Sequence, residues 1–360
     1  MASIEITLTD ACNLNCRYCY EKRRSPSVVE EETMLSLINR AIAECPKNEM
    51  LTVNLFGGEP FLQYDLIRSA YKYIETNAGG IEWELGIVTN GTLVHGAIQE
   101  WLRENERHIV VTLSIDGVKE AHDENRCGSF DRIDLEFFSK LTRPYAKMTV
   151  VPSNLPRMFE SLLFLHEKGF KINCSIGYGC SWRESDYSLL DEQMGKYINW
   201  AIQNGYDGGN CSLLDFPYML MERCTGHRYR FCDVGYSHTY NVDGSRAPCH
   251  MLLNNSLSDG DIEAIGRISF PSIELTRDQL DPKCDQCPII TVCQSCYANN
   301  YFVNGDIYKQ DEDICRANRI LFKRRSEFAA MQWKNGLDIG EREERALIEA
   351  VLKCQELKCE

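Results

Sequence analysis

The sequence has no apolar run approaching the ~20 residues of a membrane span, and its opening stretch, MASIEITLTD, lacks the basic and apolar segments of a secretion signal. A basic excess is also missing: 53 acidic against 39 basic side chains give a formal net charge of -14. That balance argues against a polyanionic partner, so neither nucleic acid nor membrane is expected. Low-complexity linkers are absent, and there is no internal repeat beyond an alternation of strand-like and helix-like segments. What is present, 360 residues at 44% hydrophobic and 26% charged, suffices for a sizeable core. The length prior of ~150 residues per domain gives about two domains. A cytoplasmic protein is the expectation.

Cysteine is not scarce. There are 18, and without a secretion signal a disulfide framework is a poor explanation. In a reducing compartment such a number points to metal. Three cysteines sit near the start and eight fall between Cys224 and Cys315. Cys45, Cys127, Cys174, Cys180, Cys211, Cys354 and Cys359 are scattered, and for most of them a small buried or incidental thiol is the simpler reading.

The first half alternates β-rich runs with helical patterns. Strands are expected at Ile4–Thr9, Leu51–Phe56, Glu84–Thr89, Ile109–Ile115, Lys147–Val151 and Lys171–Gly177. Met34, Leu37, Ile38, Ala41 and Ile42 form a helical apolar stripe between the first two, and Leu155, Met158, Phe159 and Leu162 form another before Gly169. Six such βα units imply an α/β fold with a parallel sheet and right-handed crossovers, either a partial (β/α)6 TIM barrel or a flat doubly wound sheet. The expected domains are 1–181 for the barrel, 182–223 for a helical bridge, 224–320 for a small cysteine-rich domain and 321–360 for C-terminal helices, whose last segment aligns Leu347, Val351, Cys354 and Leu357. The first four strands run into a cysteine loop, GGEP, TNGT and SIDG. In a parallel barrel these turns open on one face, where active sites are built.

The cysteine loop reads TDACNLNCRYCYE and offers only Cys12, Cys16 and Cys19. Three thiolates can hold a four-iron cluster and leave one iron open, and an open position is what metal catalysis needs. A zinc site with a distant fourth ligand is the alternative. The spacing CxxxCxxC after a first strand, with Tyr18 before the third cysteine, resembles the radical S-adenosylmethionine (SAM) enzymes. The resemblance implies that SAM chelates the open iron and yields a 5′-deoxyadenosyl radical that abstracts hydrogen. It also implies cofactor contacts from Gly57, Gly58, Glu59 and Pro60, from Tyr18, from Ser114 at the end of strand four and from Arg126 in HDENR. Asp116 in SIDG is a candidate catalytic or turn-capping carboxylate.

The later cysteines resemble the SPASM extension of these enzymes. Cys284, Cys287, Cys293 and Cys296 read CxxCxxxxxCxxC, with two residues, Gln294 and Ser295, where the family normally has three. The resemblance assigns Cys284, Cys287, Cys293 and Cys315 to one auxiliary four-iron cluster, and Cys232, Cys249 and Cys296 with Cys224 to another. A pair of zinc sites is the alternative for the same eight residues. Three [4Fe-4S] clusters, SAM, and a reductant such as flavodoxin or ferredoxin are therefore expected.

In related sulfatase maturases the residue after the cysteine equivalent to Cys249 is an aspartate base; here it is His250, a candidate for proton transfer. The resemblance suggests a maturase that forms a carbon–carbon or thioether cross-link, or a related oxidation, in a ribosomally made precursor peptide. The first strand begins at about Ser3, so no N-terminal leader-binding domain is expected and a separate leader-binding protein is a candidate partner. Rival readings are a small-molecule dehydrogenase, a sulfatase maturase, an iron–sulfur electron carrier, and a peptide epimerase with Cys180 or Cys127 as thiol donor.

Overall fold

The structure, a computed structural model, describes residues 2–215, 232–272, 274–293 and 295–357. Two compact units can be distinguished. The first comprises Met1–Lys147, Leu165–Lys171 and Asp233–Phe270; the second comprises Met148–Phe164, Ile172–Cys232 and Pro271–Glu360.

Strands β1 (Ser3–Thr9), β2 (Leu51–Gly57), β3 (Trp83–Thr89), β4 (Ile109–Ser114), β5 (Tyr145–Val150) and β6 (Lys171–Ile176) fall where the sequence pattern puts them, within two residues at each end. Their spatial order follows chain order, β6-β5-β4-β3-β2-β1. A doubly wound sheet would reverse direction at a switch point, and this one does not. The pairs β1–β2, β2–β3, β3–β4 and β4–β5 are parallel.

In the first unit the strand residues alternate. Ile4, Ile6, Leu8, Val53, Leu55, Leu85, Ile87, Val111 and Leu113 are buried. Met34, Leu37, Ile38 and Ala41 are buried on the helix Glu31–Glu44, and Ile67, Ala70 and Ile74 on the helix Tyr64–Asn77. The intervening residues Glu5, Asn54, Gly86, Thr112 and Ser114 are only half-buried. Parallel strands covered on both faces are hydrophobic throughout; the alternation here means that one face carries the core and the other stays polar.

One feature escaped the sequence reading. A hairpin of two-residue strands, β7 (Thr239–Tyr240) and β8 (Arg246–Ala247), joins the sheet through a parallel pairing of β7 with β1. Its turn holds Asp243 and Gly244, the latter at φ 77°, a hairpin signal too short of flanking apolar alternation to stand out.

The second unit contains the helices Glu184–Gln203, Glu312–Lys334 and Gly340–Glu356. The last two are the expected C-terminal helices, with one correction. Leu347 and Leu357 are buried, but Val351 is 38% exposed, and Ala346 and Ala350 complete the packed face instead. Those alanines pack with Ile289, Val292 and Phe322, and Cys287, Cys293 and Cys354 lie against the same cluster. No described helix is long and apolar enough to cross a membrane.

Candidate metal and cofactor site

At the end of β1 the chain leaves in a loop whose two ends are tied together. The Thr9 hydroxyl donates to the Ser27 carbonyl at 2.8 Å, and the Asp10 and Val29 amides donate to Ser27 and Leu8 carbonyls at 3.1 and 2.9 Å. Within it the Cys19 amide donates to the Cys16 carbonyl at 3.2 Å. Burial raises the Cys12 thiol and pushes Cys16 up to about 11, and both also feel the charge of Cys19. These three candidate ligands are brought together.

The GGEP turn abuts this loop. Gly58 and Glu59 amides donate to the Thr9 and Ala11 carbonyls, each at 2.9 Å. A Cβ on Gly58 would lie 2.3 Å from the Ala11 oxygen and 2.9 Å from Cys12 Cβ. Gly57, at φ 136°, would meet the Thr9 oxygen at 2.3 Å. The glycines are thus required by the approach of the cysteine loop itself. Glu59 caps the short turn Pro60–Gln63. Its carboxylate accepts from the Phe61 amide (3.1 Å), the Thr89 hydroxyl (2.7 Å) and the Asn90 amide (2.8 Å). Burial pushes it up to about 7 against those hydrogen bonds. In this structure Glu59 binds GGEP to the TNGT turn. The same turn reaches the cysteine loop, because Asn13 donates to Thr92 (2.8 Å) and accepts from Asn90 (2.8 Å).

From the end of β4, Ser114 is half-buried on the polar face, while Asp116 is wholly buried. Asp116 accepts from the Tyr18 hydroxyl at 2.6 Å and from Arg126 Nε and Nη2 at 3.1 and 3.3 Å. The Arg126 guanidinium lies 5.2 Å from the Tyr18 ring centroid. Its charge, set by the buried ion pair, also acts on Cys16. Asp116, Tyr18 and Arg126 therefore form one network behind the loop. His122, fully buried, accepts from the Asp116 amide at Nδ1 (3.4 Å) and pairs through Nε2 with the Ser129 hydroxyl (2.9 Å). Burial, then Arg126, lowers it to about 4. The neighbouring Arg17 and Asn15 amides donate to the Asn125 carbonyl and to Cys127 Sγ at 2.9 and 3.3 Å.

His250, half exposed, stands 3.8 Å from Glu5 across Nδ1 and Oε2. It contacts the rings of Tyr20 and Phe56 at 6.2 and 6.4 Å between centroids. Tyr20 feels the charges of both Cys19 and Cys249.

In the second unit Cys284, Cys287, Cys293 and Cys315 line one cavity. Burial, reinforced by neighbouring thiols, pushes Cys284 up to about 12. It pushes Cys315 up to about 11, partly offset by Lys283. Cys296 accepts a hydrogen bond from the Tyr178 hydroxyl and feels the charge of Cys232. Cys224 lies outside the described residues, and Cys249 belongs to the first unit. Among the described residues no three Cys, His, Asp or Glu side chains converge on a single ion. Thiols grouped yet spaced apart fit a multi-iron cluster, in which each iron takes its own thiolate.

Residues 6–180 match the Radical SAM superfamily. This part of the chain is a radical SAM domain. Over 348 residues, 87% of this chain and 92% of the relative, the chain is 24% identical to a cysteine-type anaerobic sulfatase-maturating enzyme of Clostridium novyi. It is 26% identical, over 89% of this chain and 73% of the relative, to the radical SAM cyclopropyl synthase TigE of Paramaledivibacter caminithermalis. Among solved structures, native anSMEcpe with bound AdoMet superposes with a TM-score of 0.70 at 19% identity, covering 93% of this chain and all of that one. Streptococcus suis SuiB bound to its precursor peptide SuiA gives 0.59 at 15%, covering 87% and 75%. The fold is that of these SPASM-type radical SAM enzymes.

Asn13 and Arg24 carry no sequence signal of their place at the loop. Arg24 donates to the Leu14 carbonyl and its charge acts on the loop thiols, yet it stands in an ordinary basic run, EKRRS.

Two outcomes follow for the radical SAM domain. Asp116→Asn leaves Arg126 buried without its counter-charge and is expected to cost about 3–5 kcal/mol in urea unfolding. Because His122 is held neutral, its contribution is complete above pH ~6.5 and is lost as pH falls toward about 4. The difference in unfolding free energy between pH 7 and pH 4 should therefore shrink by about 3 kcal/mol in His122→Gln.

Proposed function

We propose that this chain is a radical SAM maturase that oxidises a ribosomally made peptide, forming a carbon–carbon or thioether cross-link or a related product. The observation that carries the reading is a radical SAM domain followed by a four-cysteine cavity, in a chain whose relatives along most of its length include a sulfatase-maturating enzyme and a cyclopropyl synthase and whose structural neighbours hold bound peptides. The cofactors of the reading are SAM and three [4Fe-4S] clusters. Bound at Cys12, Cys16 and Cys19, a four-iron cluster with SAM supplies a hydrogen-abstracting radical, and auxiliary clusters supply a sink for the substrate's second electron.

The chain's own residues do the rest. Gly57 and Gly58 let the GGEP turn seat against the cysteine loop, and Ser114 offers a hydroxyl on the polar face of the sheet. Asp116 is a positioning residue in this reading: its carboxylate is occupied by Tyr18 and Arg126. His250, oriented by Glu5, takes the proton that a two-electron oxidation releases. Cys284, Cys287, Cys293 and Cys315 are the ligands of one auxiliary cluster, and Cys232, Cys249, Cys296 and Cys224 of the other.

Sulfatase maturation is the second reading, favoured by likeness to the Clostridium novyi enzyme along nearly its whole length. His250, where those maturases carry aspartate, favours the first.

With dithionite and SAM, the reconstituted full-length protein should release 5′-deoxyadenosine, and Cys16→Ala should release none. Anaerobic incubation with candidate peptides should give products lighter by two hydrogens, read by mass spectrometry. Conversion only of a sulfatase-type cysteine or serine peptide would favour the second reading. An undiminished yield from Cys16→Ala would contradict both.

A further inference from the structure

The four thiols of the cavity in the second unit come from two pieces of chain. Cys284, Cys287 and Cys293 lie on one short run, whereas Cys315 stands on the helix Glu312–Lys334. Asn318 follows Cys315 by three residues on that helix, so the two side chains share a face. Its Nδ2 donates to Cys293 Sγ at 3.8 Å, an ordinary length for so large an acceptor atom. Phe322, one turn further along, is buried in one cluster with Ile289 and Val292, and Cys293 packs against that cluster. One helix face therefore supplies a candidate ligand, a donor to a second one, and the apolar contact that holds the two segments together. The charge of Lys283, which also lines the cavity, is matched by Glu312 at 2.6 Å.

A thiolate that ligates iron has no proton and can only accept, so the NH2 side of the Asn318 amide is the side that suits it. A hydrogen bond to a ligand sulfur favours the reduced, more negative state of a cluster, and such bonds are among the protein's means of setting an iron–sulfur potential. We propose that Asn318 is a positioning residue that, by donating to Cys293, raises the reduction potential of the auxiliary cluster held by Cys284, Cys287, Cys293 and Cys315. The inference rests on the reading that these four thiols hold a four-iron cluster. A neutral donor on a packed helix suits a cluster that takes an electron from substrate, because it lifts the potential without burying a charge. The helix that completes the ligand set with Cys315 thus also tunes the site.

The test is an anaerobic redox titration of the reconstituted full-length protein, followed by electron paramagnetic resonance. The signal of interest is the one that Cys284→Ala removes. At a fixed solution potential, Asn318→Leu, similar in volume but without a donor, should lower the ratio of reduced to oxidised cluster about fivefold, which is ~41 mV for one electron. Asn318→Asp puts a carboxylate where the donor stood and should lower the ratio further. A wild-type potential in Asn318→Leu, or a potential in Asn318→Asp at or above that of Asn318→Leu, would overturn the inference. Iron content measured alongside separates a lost cluster from a shifted one, and Asn318→Ala gives the same comparison if the leucine displaces iron. If the Cys284→Ala protein keeps every signal and all its iron, the four-thiol reading itself fails and the inference falls with it.

Discussion

The first unit depends on a backbone contact at the end of β1. There the Gly58 and Glu59 amides donate to the Thr9 and Ala11 carbonyls, pressing the GGEP turn onto the cysteine loop with no room for a side chain. A loop that presents three thiols without a fourth has little internal reason to keep its shape. The turns after the next three strands supply that reason. TNGT grips the loop through Asn13, Glu59 ties GGEP to TNGT, and SIDG reaches it through Tyr18 and Arg126. The polar turns thus brace one another around the thiols, and the ordering cost of the loop is met by hydrogen bonds to rigid strand ends.

Electrostatics follows the same plan. Buried thiols prefer to keep their protons, as the raised Cys12 and Cys16 show. Ligation requires thiolates, so metal binding in such a place is coupled to proton release and to folding of the loop. Arg126 lowers the cost of thiolate charge at Cys16 and Arg24 does so at Cys12; Asp116 offsets the first cation, and the second also acts on Glu21. In the second unit Lys283 stands in the same relation to Cys315. Apolar packing of Ile289, Val292 and Phe322 with Ala346 and Ala350 backs the cavity there. The C-terminal helix, which carries no recognisable motif, is therefore part of the wall behind the candidate auxiliary site.

Much of this could be read from the chain alone, for definite reasons. Six strands stood out because apolar and polar residues alternate along them and turns follow them. The three-thiol loop stood out because its spacing and its place after a strand agree. What could not be read was partnership over long separations. Nothing in SIDG says that Asp116 will be consumed by Tyr18 and Arg126, and nothing in EKRRS separates Arg24 from Arg23. Glu59 shows the same limit: a carboxylate in a glycine turn suggests an acceptor for a ligand, while the fold gives it three donors of its own. The hairpin at Thr239–Ala247 was missed because strands of two residues leave no period to detect. Val351 was misplaced because helical spacing gives a stripe without saying which side of the stripe is covered.

The central claim is that Cys12, Cys16 and Cys19 hold a cluster with one iron left open for SAM. Mössbauer spectroscopy of protein reconstituted with iron-57 addresses it directly, recorded before and after SAM is added. The account predicts that about one iron in twelve changes its spectrum on addition, and that none does in Cys16→Ala. Bound zinc in place of iron, or spectra that SAM leaves unchanged in the wild-type protein, would contradict it.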